Sequence, residues 1–239
     1  MMPLPKLDHP VFEVQLNSVN KKLKFRPFLV KEEKLLLMAK ESDDLNDVFK
    51  VMKQIIQNCC LDEIDVETLP VFDVEMIFIN LRINSVGENV QMNFTCDNVV
   101  EGNTCGHITE FDLQLKNIKF QVPEGHDKNV KLTDKVGVAF KYPTLQLPKE
   151  VVEETDDGGF ALIVNYVDYI YDDDQVYKAE ETPKEELRDF FESLSLDQIR
   201  KVKAFFLTTP TVVLDQDISC AKCGNNHHVN VEGVLNFFD

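Results

Sequence analysis

The sequence predicts an α+β fold in which a helical block is joined to an antiparallel β region made of two distant hairpins. Three apolar stripes at helical spacing lie between Val30 and Gly87, as in helices that bury one face. Apolar and polar residues then alternate over 89–122 and again over 212–233, which is typical of hairpins with one solvated face. Each hairpin carries a pair of cysteines near its turn, so we expect the two turns to meet.

The length of 239 residues allows one large domain or two small ones. Hydrophobic residues make up 44% of the chain and include 17 Phe, which is enough for a packed core and argues against disorder. We expect an N-terminal region over 1–88, containing strands and the helical block, and a mixed region over 89–239. The mixed region is expected to hold both hairpins, with helices at about 158–208 between them.

Within 1–88 the sequence predicts a strand pair followed by three helices. Alternation over 11–16 and 22–25, across a polar turn, predicts the strands. The helices are expected from Val30, over about 44–58, and from Pro70 to a break just before Gly87. The apolar face of the first helix is expected to consist of Leu35, Leu36, Met38 and Ala39.

The later helices have start signals of their own. Residues 160–171 carry apolar side chains at helical spacing and are predicted to form one helix. The sequences at 182–185 and 195–198 both have the form of a capping box, and Pro183 is expected at the first helical position of its helix. Three consecutive aspartates after Tyr171 predict a solvated loop, because a calcium loop needs Asp at alternate positions and a closing Glu.

The chain carries 42 acidic and 25 basic residues, a net charge of −17. Such an acidic surface repels phosphate backbones, so we expect no nucleic-acid binding. We interpret it as a solvated surface that favours solubility, with attraction of a basic partner as the alternative. No apolar run approaches the roughly 20 residues that span a bilayer, and the N-terminus has no apolar stretch of signal-peptide length. We therefore expect a soluble protein without membrane attachment that stays in the cytoplasm where it is made.

Six cysteines in such a protein argue against a disulfide framework, because the cytoplasm keeps thiols reduced. Cys59 and Cys60 end a helical stripe, and we interpret them as ordinary buried thiols. The other four cysteines have Gly, Asn and Asp neighbours, as turn residues should. These four are therefore the candidates for a metal site.

The candidate metal ligands form two clusters. Cys220 and Cys223 share a tight turn before a glycine, which is the spacing of a zinc knuckle. Cys96 and Cys105 are separated by eight residues, so the loop between them must bulge outwards for their sulfurs to meet. Four thiolates on two facing hairpins describe a zinc ribbon, and we predict that all four bind a structural Zn²⁺ ion. Reduced cysteines without metal, or a disulfide, are the alternatives.

Three histidines beside these clusters are capable of replacing a cysteine as ligand: His107, His227 and His228. We expect them instead to be turn or surface residues. A catalytic zinc keeps an open position, whereas four cysteines fill the coordination shell. The chain has no His-Glu-x-x-His, no Gly-x-Ser-x-Gly and no glycine-rich phosphate loop. We therefore expect no enzyme. A zinc-dependent enzyme and a zinc-ribbon adaptor are the alternatives, although the charge disfavours nucleic-acid binding by such an adaptor.

Two segments carry a resemblance to a known family: Phe25–Ala39, FRPFLVKEEKLLLMA, and Asp73–Glu88, DVEMIFINLRINSVGE. They resemble the baseplate hub subunit and hub assembly family of T-even-type contractile-tailed phages. The likeness covers roughly 20–120 and is looser in the C-terminal half. It implies a non-enzymatic structural or assembly protein of the baseplate hub, with other hub proteins as partners. It also implies a place in the host cytoplasm during assembly, and leaves open both a place in the finished virion and a homo-oligomer.

Residues of these segments also have expected structural roles. Arg26 offers five donors and is suited to pinning carboxylates or carbonyls at a helix start. Gly87 fits a helix C-terminus that needs a positive φ. Beyond these segments, the apolar tail Val234–Phe238 is expected to dock on the protein's own core, with insertion into a partner as the alternative.

Overall fold

The computed structural model describes residues 7–40, 45–145 and 159–232. Its mixture of helices and antiparallel sheets confirms the α+β class. Within these ranges, no helix is both long and apolar enough to cross a membrane. The expected docking of the tail Val234–Phe238 lies outside the described residues.

The first of two compact units comprises Met1–Gln121 and Thr211–Asp239. Its described helices and strands, numbered in chain order through both units, are β1 (Phe12–Leu16), β2 (Lys21–Phe25), α1 (Val30–Lys40), α2 (Leu45–Cys59), α3 (Val71–Ser85), β3 (Asn89–Thr95), β4 (Val99–Val100), β5 (Asn103–Thr104), β6 (Ile108–Gln114), β7 (Lys119–Gln121), β12 (Thr211–Ser219) and β13 (Asn226–Glu232). Strand β1 pairs with β2, β3 with β6 and β4 with β5, while β12 lies between β13 and β7.

This grouping differs from the expected division of the chain at residue 88. Both cysteine hairpins belong to the same unit as the N-terminal helices. The physical reason is packing across the sequence: α3 contacts β12, and β7 adds to the edge of β12. The rings of Phe72 in α3 and Phe120 in β7 lie 5.3 Å apart between centroids. The β region therefore completes the core that the helices begin.

The N-terminal hairpin is tied to α3 by a buried carboxylate. Asp73, in the first turn of α3, accepts the backbone N–H of Asn17 at 2.7 Å and of Ser18 at 3.2 Å. The hydroxyl of Ser18 donates to the same carboxylate. Because Asp73 is fully buried, these bonds replace its lost hydration. The turn between β1 and β2 is thus held by a residue more than 50 positions away.

Arg26 pins the start of α1, as its position in the sequence predicts. Its guanidinium donates to the Glu32 carboxylate at 3.0 Å and to the carbonyl oxygens of Pro27 and Asn58, both at 2.9 Å. Glu32 is fully buried and also accepts the N–H of Leu29 at 2.9 Å. The charged groups at this helix start are therefore part of the interior.

The predicted apolar face of α1 is wrong in part. Met38 is 68% exposed, Leu35 and Leu36 are half-buried, and only Ala39 of the predicted set is buried. The buried side of the helix instead contains Glu32, because its bonds to Arg26 draw this side of α1 inwards. A charged residue can occupy such a position when it is paired and hydrogen-bonded.

Helices α2 and α3 supply much of the core of this unit. Met52, Ile55 and Ile56 of α2 are fully buried, in agreement with the stripe that predicts the helix. Helix α3 ends where the sequence indicates. Gly87 has φ of +127° there, a backbone conformation that side chains disfavour. Its carbonyl oxygen accepts a hydrogen bond from Arg82 at 3.1 Å, which closes the end of the helix.

The second unit comprises Val122–Pro210. Its described strands and α-helices are β8 (Asn129–Lys131), β9 (Gly137–Phe140), α4 (Phe160–Asn165), β10 (Val167–Tyr171), β11 (Val176–Lys178), α5 (Lys184–Glu192) and α6 (Leu196–Leu207). The four strands form one antiparallel sheet in the order β11-β10-β9-β8. Its core brings together residues of the sheet and of the three described α-helices, including Phe140, Ile163, Phe191 and Phe205.

The prediction of one helix over 160–171 is wrong. The helix stops at Asn165, and Val167–Tyr171 forms the central strand β10, paired with β9 and β11. Val167 and Ile170 lie three residues apart and satisfy a helical pattern, but both are buried through a strand that contains a bulge between Val167 and Tyr169. The register shift of a bulge disguises the two-residue period of a strand.

One of the two predicted capping boxes is confirmed. At the start of α6, the Ser195 hydroxyl accepts the N–H of Gln198, whose side chain in turn accepts the N–H of Ser195. The prediction of a capping box at 182–185 is wrong. Pro183 itself occupies the N-cap of α5, and the Thr182 hydroxyl donates to the carbonyl of Lys178 at 2.9 Å.

Candidate metal centre

The first cysteine pair flanks a small hairpin inserted between β3 and β6. Strands β4 and β5 pair through Val99 and Thr104, and the turn between them, at Glu101 and Gly102, has positive φ at both residues. This is the geometry that suits a two-residue hairpin loop. The bulge expected between the two cysteines is therefore an ordered hairpin that points its own turn away from them.

Backbone hydrogen bonds hold the base of this inserted hairpin closed. Cys96 donates its N–H to the carbonyl of His107 at 2.9 Å, and Gly106 donates to the carbonyl of Cys96 at 3.0 Å. Cys105 donates to the carbonyl of Asn98 at 2.7 Å. As a result, eight intervening residues still leave Cys96 and Cys105 side by side.

The second cysteine pair lies on the tight turn between β12 and β13. The backbone N–H of Cys220 donates to the carbonyl of Asn225, and the carbonyl of Cys220 accepts the N–H of Gly224, both at 2.9 Å. Gly224 has φ of +71°, which a glycine adopts without strain. The turn thus has the form expected of a zinc knuckle, with both sulfurs on one side.

A glutamine side chain joins the two hairpins. Gln216 of β12 accepts the N–H of Gln114 at 3.2 Å and donates to the carbonyl of Asp112 at 2.9 Å, so its amide binds the backbone of β6 in two places. Near the turns, Lys222 donates to the carbonyl of Cys105 at 3.5 Å. These contacts place the two cysteine turns against each other.

The four sulfur atoms then lie within 4.8 Å of one another. Cys96 and Cys223 are 3.6 Å apart, and Cys105 and Cys220 are 3.9 Å apart, measured between sulfurs. Zinc–sulfur bonds of about 2.3 Å in a tetrahedron place neighbouring sulfurs about 3.8 Å apart. A disulfide needs about 2.05 Å. The arrangement thus has the dimensions of a tetrahedral four-thiolate site, and the expected meeting of the turns is what the structure contains.

The pKa values of Cys96, Cys220 and Cys223 are shifted in different directions. Backbone N–H groups of Cys223 and Lys222 lower the pKa of Cys220 to about 6. The N–H of Asn225 and the Asn98 amide lower the pKa of Cys223. Burial raises the pKa of Cys96 to about 12. The knuckle turn therefore favours thiolates, whereas burial favours the protonated form of Cys96.

His227 is not the turn or surface residue that we expected. Its side chain is only 10% exposed, and its Nε2 atom lies 3.2 Å from the sulfur of Cys96. Its ring packs on Phe94 with centroids 4.7 Å apart, and Nδ1 lies 3.5 Å from a carboxylate oxygen of Asp97. A fifth side chain of a type that can bind metals therefore lies at the edge of the sulfur cluster, within hydrogen-bonding distance of the Cys96 sulfur.

The other two histidines do not join the sulfur cluster. His107 contributes its backbone carbonyl to the base of the inserted hairpin. His228 is exposed on β13, with Nδ1 at 2.9 Å from Asp217 and Nε2 at 3.3 Å from Asp215. The hydrogen bond to Asp217 raises the pKa of His228. These two residues agree with the expected turn and surface positions.

Sequence reasoning also missed two polar residues of the site. Asn98 donates to the sulfur of Cys223 at 3.6 Å, and Gln216 joins the hairpins. Neither has a signal in the cysteine spacing. For His227 a signal exists, because it alternates along β13 with the exposed Asn226 and His228, as an inward-facing residue would.

The same chain matches a described protein family along almost its whole length. The model for this family, described as T4 bacteriophage base plate protein, matches residues 9–239. The chain belongs to this family. The match spans both cysteine pairs and confirms the family resemblance of Phe25–Ala39 and Asp73–Glu88.

A curated relative in this family is the baseplate hub assembly protein gp26 of Enterobacteria phage T4. It is 26% identical to this chain over 229 residues, covering 95% of the chain and 97% of the relative. The two proteins thus correspond over nearly their full lengths. No solved structure gives a significant match to this chain.

Proposed function

We propose that this protein is a non-enzymatic structural or assembly protein of the baseplate hub of a contractile-tailed phage. The observation that carries the proposal is the family match over residues 9–239. The near-complete correspondence with a hub assembly protein supports the finer role. On this proposal the partners are other hub proteins, met in the host cytoplasm during assembly. The charge of −17 supports protein partners over nucleic acid.

The proposal includes a structural zinc ion bound by Cys96, Cys105, Cys220 and Cys223. Sulfur separations of 3.6 and 3.9 Å support tetrahedral coordination by all four. Apparent binding energies of structural zinc are about 10–16 kcal/mol in zinc-finger peptides, similar to the whole stability of a typical domain. The ion would therefore be a main stabiliser of the β region in the first unit.

The same coordination argues against a zinc-dependent enzyme. A catalytic zinc needs an open position for water or substrate. Four thiolates occupy every position of a tetrahedral ion, and Cys96 and Cys220 are buried. Catalysis at such an ion would require the loss of a ligand. The metal is therefore proposed to stabilise the fold and to take no part in catalysis.

Phage genetics tests the role in assembly. A nonsense codon early in the gene for this chain should abolish hub and baseplate formation in infected cells, as seen by electron microscopy of lysates. Expression of the intact chain from a plasmid should restore both. Normal baseplates in the absence of the chain would overturn the proposal.

A further inference from the structure

A surface cavity of about 300 Å³ lies in the second unit, between the turn that joins β10 to β11 and helix α5. Its walls are mostly apolar, and aromatic rings contribute a large share of them. Two carboxylates, those of Asp172 and Glu186, also line it. The apolar and aromatic part of the lining consists of Val136, Ile170, Tyr171, Tyr177, Leu187 and Phe190.

A glycine in β9 leaves space for the ring of Tyr171, which lines the cavity. Gly137 of β9 pairs with Tyr171 of β10, and a Cβ atom at Gly137 would overlap the phenol ring of Tyr171. The glycine has no positive φ to explain its presence. Its role is therefore spatial, because the absent side chain lets the Tyr171 ring lie across the sheet.

The carboxylate of Asp172 is held in place at the edge of the cavity. One oxygen accepts the N–H of Asp174 at 2.8 Å and of Gln175 at 2.9 Å, and the other accepts the hydroxyl of Tyr177 at 3.0 Å. These bonds lower the pKa of Asp172, so the group is an anion at neutral pH. A carboxylate has about four lone-pair sites, which leaves capacity for one more donor.

Two lysines on neighbouring segments are paired with other carboxylates. Lys135 lies 3.0 Å from a carboxylate oxygen of Asp173, and Lys178 lies 3.0 Å from one of Glu181. Each of these cations is thus matched by a carboxylate outside the cavity lining. Asp172 and Glu186 are the two acidic residues that line the cavity.

We propose that this cavity binds an arginine or lysine side chain presented by a basic segment of another protein. The aromatic faces suit a cation and its alkyl stem, and the carboxylates suit its charged head. An uncharged apolar ligand would instead desolvate Glu186 and Asp172 without replacing their hydrogen bonds. The inference rests on the proposed function, since it identifies the chemistry by which a hub protein would be recognised.

The net charge of the chain supports the same occupant. At −17, the protein attracts basic partners over a distance and repels acidic ones. The long-range attraction favours encounter, and the cavity then selects a particular side chain. A protein segment is the proposed source of that side chain, in preference to a free polyamine.

The test is titration of the full chain with the peptide Ac-Gly-Leu-Arg-Phe-Gly-NH2, followed by chemical shifts in nuclear magnetic resonance. Resonances of Tyr171, Tyr177 and Glu186 should move. A peptide with citrulline in place of arginine keeps the shape without the charge and should bind about tenfold more weakly. Equal affinity for the two peptides, no shift at millimolar arginine peptide, or displacement of that peptide by micromolar spermidine would overturn the proposal.

A matched pair of variants locates the effect. Glu186→Lys should abolish binding of the arginine peptide, whereas Asp189→Lys, an exposed position on the same helix outside the cavity lining, should leave it unchanged. The two variants change the net charge equally, so steering by overall charge cancels. Equal loss of binding in both would overturn the proposal for this cavity.

Separate results test the proposal for the cavity and the proposal for the hub role. If phage carrying Glu186→Lys assemble normal baseplates while the nonsense mutant does not, the hub role stands and the cavity proposal falls. Normal baseplates in the nonsense mutant would remove the hub role itself. Loss of baseplates with Glu186→Lys, and not with Asp189→Lys, would support both.

Discussion

A single buried carboxylate organises the start of helix α1. Burial raises the pKa of Glu32, but the hydrogen bonds from Arg26 and from the Leu29 N–H, with the positive charges of Arg26 and Lys31, outweigh it and leave the pKa lowered. The group is therefore ionised above the usual titration range of a glutamate. Its bonds join the end of β2, the start of α1 and, through Arg26, the end of α2.

Replacing this carboxylate should destabilise the protein. Glu32→Gln leaves the guanidinium of Arg26 without its charge partner, and the loss of one member of a buried pair costs about 3 kcal/mol. Because the pKa of Glu32 is lowered in the folded state, its contribution is present above about pH 4.3 and is lost as pH falls through the folded value. Urea unfolding should show the two proteins converging in stability at low pH.

The neighbouring residue provides the control for this prediction. Glu33→Gln, at an exposed position of the same helical turn, should change the free energy of unfolding by less than about 0.5 kcal/mol. If Glu32→Gln unfolds at the same urea concentration as the Glu33→Gln protein at neutral pH, the buried pair does not stabilise the fold.

The residues of the candidate site were predictable to different degrees. The four cysteines follow from thiol chemistry and spacing, and the structure brings all of them together. Gln216 and Asn98 were not predictable, because a polar side chain on a strand or loop acquires a role only when a distant backbone is placed beside it. His227 lies between these cases, with a face that the strand period indicates but a contact that only the fold supplies.

At the scale of the elements, helix starts differ in how they are stabilised. The box at Ser195 satisfies two backbone N–H groups of α6 through reciprocal side-chain bonds. Thr182 precedes a proline that itself takes the cap position, so its hydroxyl turns back to the carbonyl of Lys178. The same sequence pattern thus has two outcomes, decided by the proline.

This difference predicts unequal costs for two similar substitutions. Ser195→Ala should lower the free energy of unfolding by about 1 kcal/mol, since it removes a working N-cap. Thr182→Val should cost no more than about 0.5 kcal/mol, because the hydroxyl bond that it removes is exposed. Thermal unfolding of the two variants against the parent protein checks both values. A larger loss for Thr182→Val would contradict the assignment of the caps.

The helices and hairpins with long, regular patterns were predictable, and the short ones were not. Helix α2 and the β3–β6 hairpin follow closely from their three-to-four and two-residue periods. Strand β10 was missed, because five residues with a bulge do not establish a period. The face of α1 was also missed, because a pairing between Arg26 and Glu32 decides which side is buried.

At the scale of the whole molecule, the proposed metal site links two hairpins that are far apart in the sequence. Cys96 and Cys223 are separated by 127 positions in the chain and by 3.6 Å between sulfurs. An ion bound there would tie the C-terminal strands to the β region that follows α3. Stability of the first unit should therefore depend on metal, and also on pH, since thiolates must be deprotonated to bind zinc.

The central claim is that these four cysteines bind zinc, and metal analysis of the intact chain tests it most directly. Protein purified without chelator should contain one zinc ion per chain by mass spectrometry. Cys223→Ser should lose most of the metal and unfold more easily, whereas Cys60→Ser, at a cysteine outside the cluster, should keep it. A folded parent protein without zinc, or equal metal content in the two variants, would contradict the claim.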